Sequence, residues 1–262
     1  VKLINGETLT EMSKLPDASV DMILADLPYG TTANEWDVLI PFDKLWGQYN
    51  RIIKEHGAIV LFGQGLFANH LISSNEKMYR YKWIWKKARA VGFLNAKRMP
   101  LRTVEEILVF YKKLPTYNPQ MRQGKPYKSV TKPRLARNYR ATKKTVVTDN
   151  KGERYPIDVL EYEQPSVHGK GVHPTEKPVN LLSYLIKTYT KPGDLVLDNT
   201  MGSGSTGVAA KLTNRNFIGI ELNKKFYDIA VDRIHGQKNI SYFEYANILK
   251  IFRSIIVAIG GS

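Results

Sequence analysis

Short apolar runs that end on a polar residue or a glycine alternate along this chain with stretches whose apolar residues recur every three or four positions. That alternation predicts a mostly parallel β-sheet with helical crossovers, because strands buried on both faces read as continuous apolar runs and each crossover helix buries one stripe. Val20 to Ala25 meets Asp26, Ala58 to Phe62 meets Gly63, Leu195 to Leu197 meets Asp198, and Phe217 to Ile220 meets Glu221. Each run thus delivers a functional type of residue at its C-terminal end, the edge where open α/β sheets bind ligands. Tyr79 to Lys87 alternates instead, with Tyr79, Tyr81, Trp83 and Trp85 on one expected face, and Glu106 to Lys112 reads as a further strand. Both are expected toward one edge of the sheet. A helix is expected from Pro178 to Tyr189, with Leu181, Leu182, Leu185 and Ile186 in its stripe. Asn223 can cap another, whose stripe is Phe226, Ile229, Ala230 and Ile234. The fold class this predicts is α/β, a doubly wound, mostly parallel sheet.

Between Leu114 and Gly171 the periodicity fades and Pro, Lys, Arg, Thr and Tyr dominate. The expected organisation is a sheet domain of residues 1–113 and 171–240, an insertion over 114–170, and a C-terminal amphipathic helix within 241–259. That helix carries Ile248, Phe252, Ile255, Ile256 and Ile259 in register together with Lys250 and Arg253, a pattern for packing or for pairing two copies, and not for a membrane. The 262 residues suit one large domain with an insertion.

Charge changes this picture. Lys and Arg number 39 against 24 Asp and Glu, a formal charge of +15, but the surplus is concentrated. Arg80 to Arg102 holds eight basic residues and no acidic one, and Pro115 to Arg154 holds eleven against Asp149 and Glu153, so the remainder is close to neutral. Two concentrated windows point to a surface that meets polyphosphate. Lys86, Lys87, Arg89, Arg98, Arg122, Lys125, Arg134, Arg137 and Arg140 are the candidate nucleic-acid contacts, with Tyr117, Tyr127 and Tyr139 interleaved for stacking or groove contacts. The bland alternative is a solvated basic loop with no partner. The chain has no cysteine, which removes disulfides, Cys-ligated zinc and thiol nucleophiles, and His168 and His173 lack a third ligand at metal spacing, so no metal is expected. No N-terminal segment reads as a signal peptide and no run of 18 apolar residues occurs, so a cytoplasmic protein with no membrane partner is expected.

Residues 194 to 207 carry an apolar strand into a glycine-rich turn and the start of a helix near Ser205. Gly202, Gly204 and Gly207 satisfy G-x-G-x-x-G, and Glu221 lies at the tip of the next strand, so the stretch matches a dinucleotide fingerprint. Two details weigh against a nicotinamide cofactor. Asp198 to Met201 lengthen the loop before the first glycine, and Asp198 at the strand tip would repel a pyrophosphate while suiting a cationic, adenosine-bearing ligand such as S-adenosylmethionine. A glycine turn that merely closes a strand-helix junction is the other reading.

The first loaded strand ends Asp26-Leu27-Pro28-Tyr29. With the glycine loop, this resembles the S-adenosylmethionine-dependent amino-methyltransferases of DNA, whose catalytic tetrad is [D/N/S]-P-P-[Y/F]. Leu27 departs from the usual first proline, which shapes the turn and carries no chemistry. The tetrad precedes the basic insertion, followed by His173-Pro174-Thr175-Glu176-Lys177-Pro178 and then the glycine loop, an order that resembles the permuted β-class of the family. The resemblance spans about residues 2 to 235 and implies a Rossmann-like methyltransferase with an inserted target-recognition region acting on double-stranded DNA, in a bacterial cell or encoded by a phage.

On that resemblance, Asp26, Pro28 and Tyr29 are the expected catalytic residues. Asp26 would accept an N–H of the target amine and Tyr29 would stack on a base flipped out of the duplex. Asn5, Thr175, Lys177, Asp198, Thr200, Gly202, Ser203, Gly204, Ser205 and Glu221 would surround the cofactor, with Glu221 on the ribose and Lys177 and Thr175 on the methionine carboxylate. Asp in the first tetrad position favours adenine N6, with cytosine N4 as the alternative, and family habit adds a possible homodimer. A nicotinamide-dependent oxidoreductase, a catalytically idle nucleic-acid-binding protein and an RNA substrate are the other readings.

Overall fold

The computed structural model describes residues 1–30, 38–133, 144–164 and 176–236. In chain order the elements are β1 (Lys2–Asn5), α1 (Thr8–Ser13), β2 (Val20–Ala25), α2 (Phe42–Ile52), β3 (Ile53–Gly63), α3 (Gly65–Ser74), β4 (Tyr79–Val91), β5 (Arg102–Phe110), β6 (Arg122–Gln123), β7 (Tyr127–Thr131), β8 (Val146–Asn150), β9 (Glu153–Arg154), β10 (Val159–Tyr162), α4 (Val179–Tyr189), β11 (Leu195–Asp198), α5 (Ser205–Leu212), β12 (Asn216–Glu221) and α6 (Lys224–Gly236). They form two compact units, Pro119–Ile157 and the remainder.

In the larger unit, an eight-stranded sheet runs in the order β1-β12-β11-β2-β3-β5-β4-β10 among the described residues. Every pairing is parallel except those of β5, which is antiparallel to both β3 and β4. β5 is therefore the one reversed strand among them. Alternate side chains of the central strands enter different layers, as the pleat demands. Met22 and Leu24 pack with Leu181, Leu185, Val208 and Ile234 of α4, α5 and α6. Ile23 and Ala25 pack with Met12, Leu45, Tyr49 and Leu71 of α1, α2 and α3. Helices cover both faces, the doubly wound, Rossmann-like arrangement. From β2 the chain moves outward to β3, and from β11 it moves outward the other way to β12, so the crevice between β2 and β11 is the topological switch point.

Two details differ from the sequence pattern. A register shift between Tyr79 and Tyr81 breaks the alternation of β4: Trp83 and Trp85 join the α4 layer, while Tyr79 packs on Phe110 in the other. One extra residue in a strand reverses the facing of what lies beyond it. Inside the expected insertion, β10 returns to the sheet, parallel to β4, and buries Leu160 in the core. The smaller unit is correspondingly shorter than 114–170, and its described residues form two antiparallel pairs, β6 with β9 and β7 with β8. Within it the Arg154 guanidinium lies 4.6 Å from the Tyr127 ring centroid and donates to the Lys125 carbonyl.

Candidate active site

Because β2, β11 and β12 run in parallel, their C-terminal ends reach one edge of the sheet together, and there Asp26, Asp198 and Glu221 line a cavity of about 760 Å³. Its walls also take in Pro28, Tyr29, Trp85, Lys87, Glu105, Lys177 and the loop from Asn199 to Ser203. β5 runs the opposite way, so its beginning and not its end meets this edge, which is how Glu105 joins the site.

The part of the cavity nearest β2 holds an ionic cluster. Lys177 Nζ lies 2.7 Å from Asp26 Oδ2 and 2.8 Å from Glu105 Oε1, and Lys87 Nζ lies 2.8 Å from Glu105 Oε2. The Tyr29 hydroxyl donates to Asp26 Oδ1 at 3.0 Å, and it lies 3.4 Å from Glu105 Oε1. Burial pushes the Asp26 carboxyl up, against the pull of Lys177 and with the help of the neighbouring Glu105 charge. Burial also works against an ionised Glu105, but its two lysine partners prevail and hold it below the usual carboxylate range. Lys177 is in turn held charged, its two carboxylate partners outweighing burial. Burial and the two carboxylates raise Tyr29 well above the ordinary phenol value, so it stays a donor. Its ring stacks on Phe67 with centroids 4.4 Å apart, while part of its surface stays open on the cavity. Leu27, in place of a proline, is buried in the same layer as Phe67.

The glycine loop is fastened from several sides. Glu221 accepts the Gly202 N–H at 2.9 Å and the Asn223 N–H at 2.7 Å, and its burial raises the carboxyl. Gly204 precedes α5 in a left-handed conformation, φ +84°, with a Cβ position only 3.0 Å from Ala230 Cα, so no larger residue fits there. Thr200 donates to the Asp26 carbonyl at 3.1 Å, tying the two strand tips together. The Asp198 carboxyl is pushed up to about 7, chiefly by burial, with hydrogen bonds from Thr206 and the Thr200 N–H opposing the rise. Glu176 links the loop to α6 by pairing with Arg233, which also donates to Ser203. Tyr49 donates to the Asn199 side chain at 2.6 Å, and Asn199 donates to Thr8 at 2.9 Å. Tyr49→Phe leaves the buried Asn199 oxygen without this donor, and urea unfolding is expected to show a loss of about 1–3 kcal/mol.

Several expected contacts are placed elsewhere. Lys177 does not stand free for a carboxylate ligand, because Asp26 and Glu105 occupy its ammonium. Asn5 lies off the cavity and donates to the carbonyls of Glu221 and Leu222, so it braces the end of β12; Gly204 does not line the cavity either. Lys87 is a correction among the nucleic-acid candidates: its side chain is only 10% exposed and belongs to the buried cluster. Lys86 is exposed and paired with Glu161 at 2.9 Å, a surface contact of little strength. Arg89, Arg98, Arg122 and Lys125 are exposed. Arg134, Arg137, Arg140, Thr175 and the C-terminal helix lie outside the described residues. Glu105 was missed by sequence reasoning; the available signal was an acid abutting the apolar run of a strand. Among the described residues no group of three His, Asp or Glu could hold a metal, and no helix is long and apolar enough to cross a membrane.

Comparison with known proteins places this architecture. DNA adenine methyltransferase YhdJ of Escherichia coli (strain K12) is 27% identical over 284 residues, covering 95% of this chain and 87% of the relative. The structure of an M1.HpyAVI–SAM complex superposes with a TM-score of 0.62 at 23% identity, covering 89% of this chain and 98% of the other. The PvuII DNA methyltransferase, cytosine-N4-specific, superposes with a TM-score of 0.66 at 17% identity, covering 94% of this chain and 90% of the other. The family model of the N6/N4 DNA methylases matches residues 20–232, which span the Asp26 tetrad, the basic insertion and the glycine loop: the chain belongs to that family and is a DNA methyltransferase.

Proposed function

We propose that the cavity binds S-adenosylmethionine and that the enzyme methylates the N6 amine of an adenine flipped out of duplex DNA. The observation that carries this reading is the Asp26 carboxylate, clamped at the switch point beside a second strand tip, Asp198, built for a cation. The site fits this cofactor. Asp198 is a buried carboxylate whose charge a cationic group would stabilise, Glu221 has lone pairs for ribose hydroxyls, and Thr200, Gly202, Ser203 and Ser205 line the wall between them. The relative M1.HpyAVI has been solved with SAM bound. When bound, the cofactor supplies an electrophilic methyl group.

An exocyclic amine is a poor nucleophile because its lone pair is delocalised into the ring. Asp26, accepting one N–H, and the backbone carbonyl of Leu27 or Pro28, accepting the other, favour a pyramidal nitrogen with its lone pair directed out of the ring plane. The amine becomes strongly acidic only after methyl transfer, so Asp26 acts by placement and charge stabilisation. Lys177 and the Tyr29 hydroxyl hold one carboxylate oxygen each, and Glu105, itself fixed by Lys87, holds Lys177. The open surface of the Tyr29 ring offers a stacking platform that offsets part of the flipping cost, roughly a few kcal/mol. The unit Pro119–Ile157, with exposed Arg122 and Lys125, supplies the target-recognition region.

Adenine is the proposed base because Asp26 opens the tetrad and because the relative YhdJ is a DNA adenine methyltransferase. Cytosine N4 is the second reading, favoured by the likeness to the PvuII enzyme. Incubation of unmethylated duplex DNA with methyl-labelled S-adenosylmethionine is expected to move label into the DNA; cofactor binding without transfer would overturn the reading.

The Asp198 carboxyl adds a pH signature. A cationic ligand binds the ionised form, so protons compete with it wherever Asp198 is protonated, that is, below about pH 7. Cofactor affinity is expected to level off above that value and to fall by up to about tenfold per pH unit below it. Titration calorimetry in buffers of different ionisation enthalpy should detect proton release on binding near pH 7, and Asp198→Asn should abolish that release.

A further inference from the structure

β4 and β5 form a hairpin closed by the Val91–Arg102 pair, and both of these residues line the catalytic cavity. The connection beyond that pair, residues 92–101, is not a loose loop. Gly92, at φ +93°, turns the chain into one turn of 3-10 helix, Phe93–Asn95, and the Asn95 and Ala96 amides donate back to the Gly92 and Phe93 carbonyls at 2.9 and 3.0 Å. The Arg98 and Met99 amides both donate to the Asn95 carbonyl. This hydrogen-bonded knuckle presents Phe93 at 81% and Leu94 at 98% exposure. Isolated apolar residues on a surface need no explanation, but two adjacent large ones held at the tip of an ordered turn do.

Their surroundings identify the occupant. Lys97 and Arg98 follow the apolar pair within the connection, Arg89 and Arg102 stand on the two strands that lead into it, all four are exposed, and no acidic residue lies between Arg80 and Arg102. Cations flanking a projecting apolar pair suit a polyanion with an apolar interior, which is what a stacked duplex is. Resting on the base-flipping reading above, we propose that Phe93 and Leu94 form a wedge that enters the duplex beside the target and fills the space left in the stack when the base moves into the cavity. Proteins that insert Phe or Leu between base steps unstack them in this way. The flanking cations would hold the backbone while the wedge is in place. The hairpin base in the cavity wall puts the wedge close to where the flipped base must go.

The test uses the full chain and a duplex carrying a site mapped with the unaltered enzyme, with the target base either paired or opposite an abasic position. The second substrate needs no pair broken, so a wedge has less to do on it. For the double variant Phe93→Ala/Leu94→Ala, kcat/KM on the paired duplex is expected to fall about tenfold or more. On the abasic duplex it is expected to stay within about threefold of the unaltered enzyme, at unchanged cofactor affinity. Phe93→Trp, which keeps a large apolar surface, should retain most of the paired-duplex rate. An equal loss on both duplexes, or no loss on either, would overturn the wedge while leaving the methyltransferase reading intact. An unaltered enzyme that methylates no DNA, so that no site can be mapped, would overturn the reading on which the wedge rests.

Discussion

Asp26→Ala is expected to lower the single-turnover rate of methyl transfer by about 10³-fold or more while cofactor affinity stays within about threefold. The separation follows from the geometry. The Asp26 side chain touches Lys177 and Tyr29, while its link to the glycine loop runs through its backbone carbonyl, which accepts from Thr200 and survives any substitution. Asp26→Asn keeps an acceptor oxygen and the shape of the site but loses the charge, so an intermediate rate is expected. Rapid-quench kinetics with labelled cofactor, set beside calorimetric titration of the same variants, would check both halves. Turnover retained in the alanine variant would remove Asp26 from the chemistry.

Lys177→Met is the second large effect. The ammonium is buried between Asp26 and Glu105, and its loss leaves two neighbouring carboxylates with only Lys87 beside one of them. Breaking a buried pair from one side typically costs about 3–5 kcal/mol, so a clear drop in unfolding free energy is expected. The pH profile carries the more specific signature. Lys177 opposes the rise of the Asp26 carboxyl that burial and Glu105 produce, so without it that carboxyl titrates higher. On the proposed role of Asp26 the reaction needs the carboxylate, so the acid limb of the rate profile should move to higher pH. Adding Glu105→Gln removes one of the stranded charges and should recover part of the stability and move the limb partly back. A lysine acting only on the methionine carboxylate would instead weaken cofactor binding and leave the limb in place.

The central strands were legible because burial on both faces writes them as unbroken apolar runs, and Asp26, Asp198 and Glu221 stand out where those runs stop. The glycine loop was legible for a related reason, since a left-handed residue packed against Ala230 leaves a glycine in the sequence. β10 was not: it is a four-residue edge strand, and only Leu160 of it is fully buried, which is too little pattern to distinguish from a loop. The ionic cluster was out of reach for another reason. Residues 26, 87, 105 and 177 meet only because β5 is reversed between β3 and β4, and nothing local to any of the four announces the others. Lys87 and Lys177 were each visible as cations, but local sequence assigned them to phosphate and to the cofactor. The order of strands gives them carboxylates of this chain instead.

The cluster explains how a tetrad with leucine in its second place still presents a fixed carboxylate. Asp26 is held by Lys177 and Tyr29, and Leu27 contributes an apolar side chain to the layer beneath. The most direct measurement is the chemical identity of the product: unmethylated duplex DNA is incubated with the enzyme and S-adenosylmethionine, digested to nucleosides and separated against standards. N6-methyladenine, formed by the unaltered enzyme and absent with Asp26→Ala, is the predicted result; N4-methylcytosine, or no methylated nucleoside at all, would contradict it.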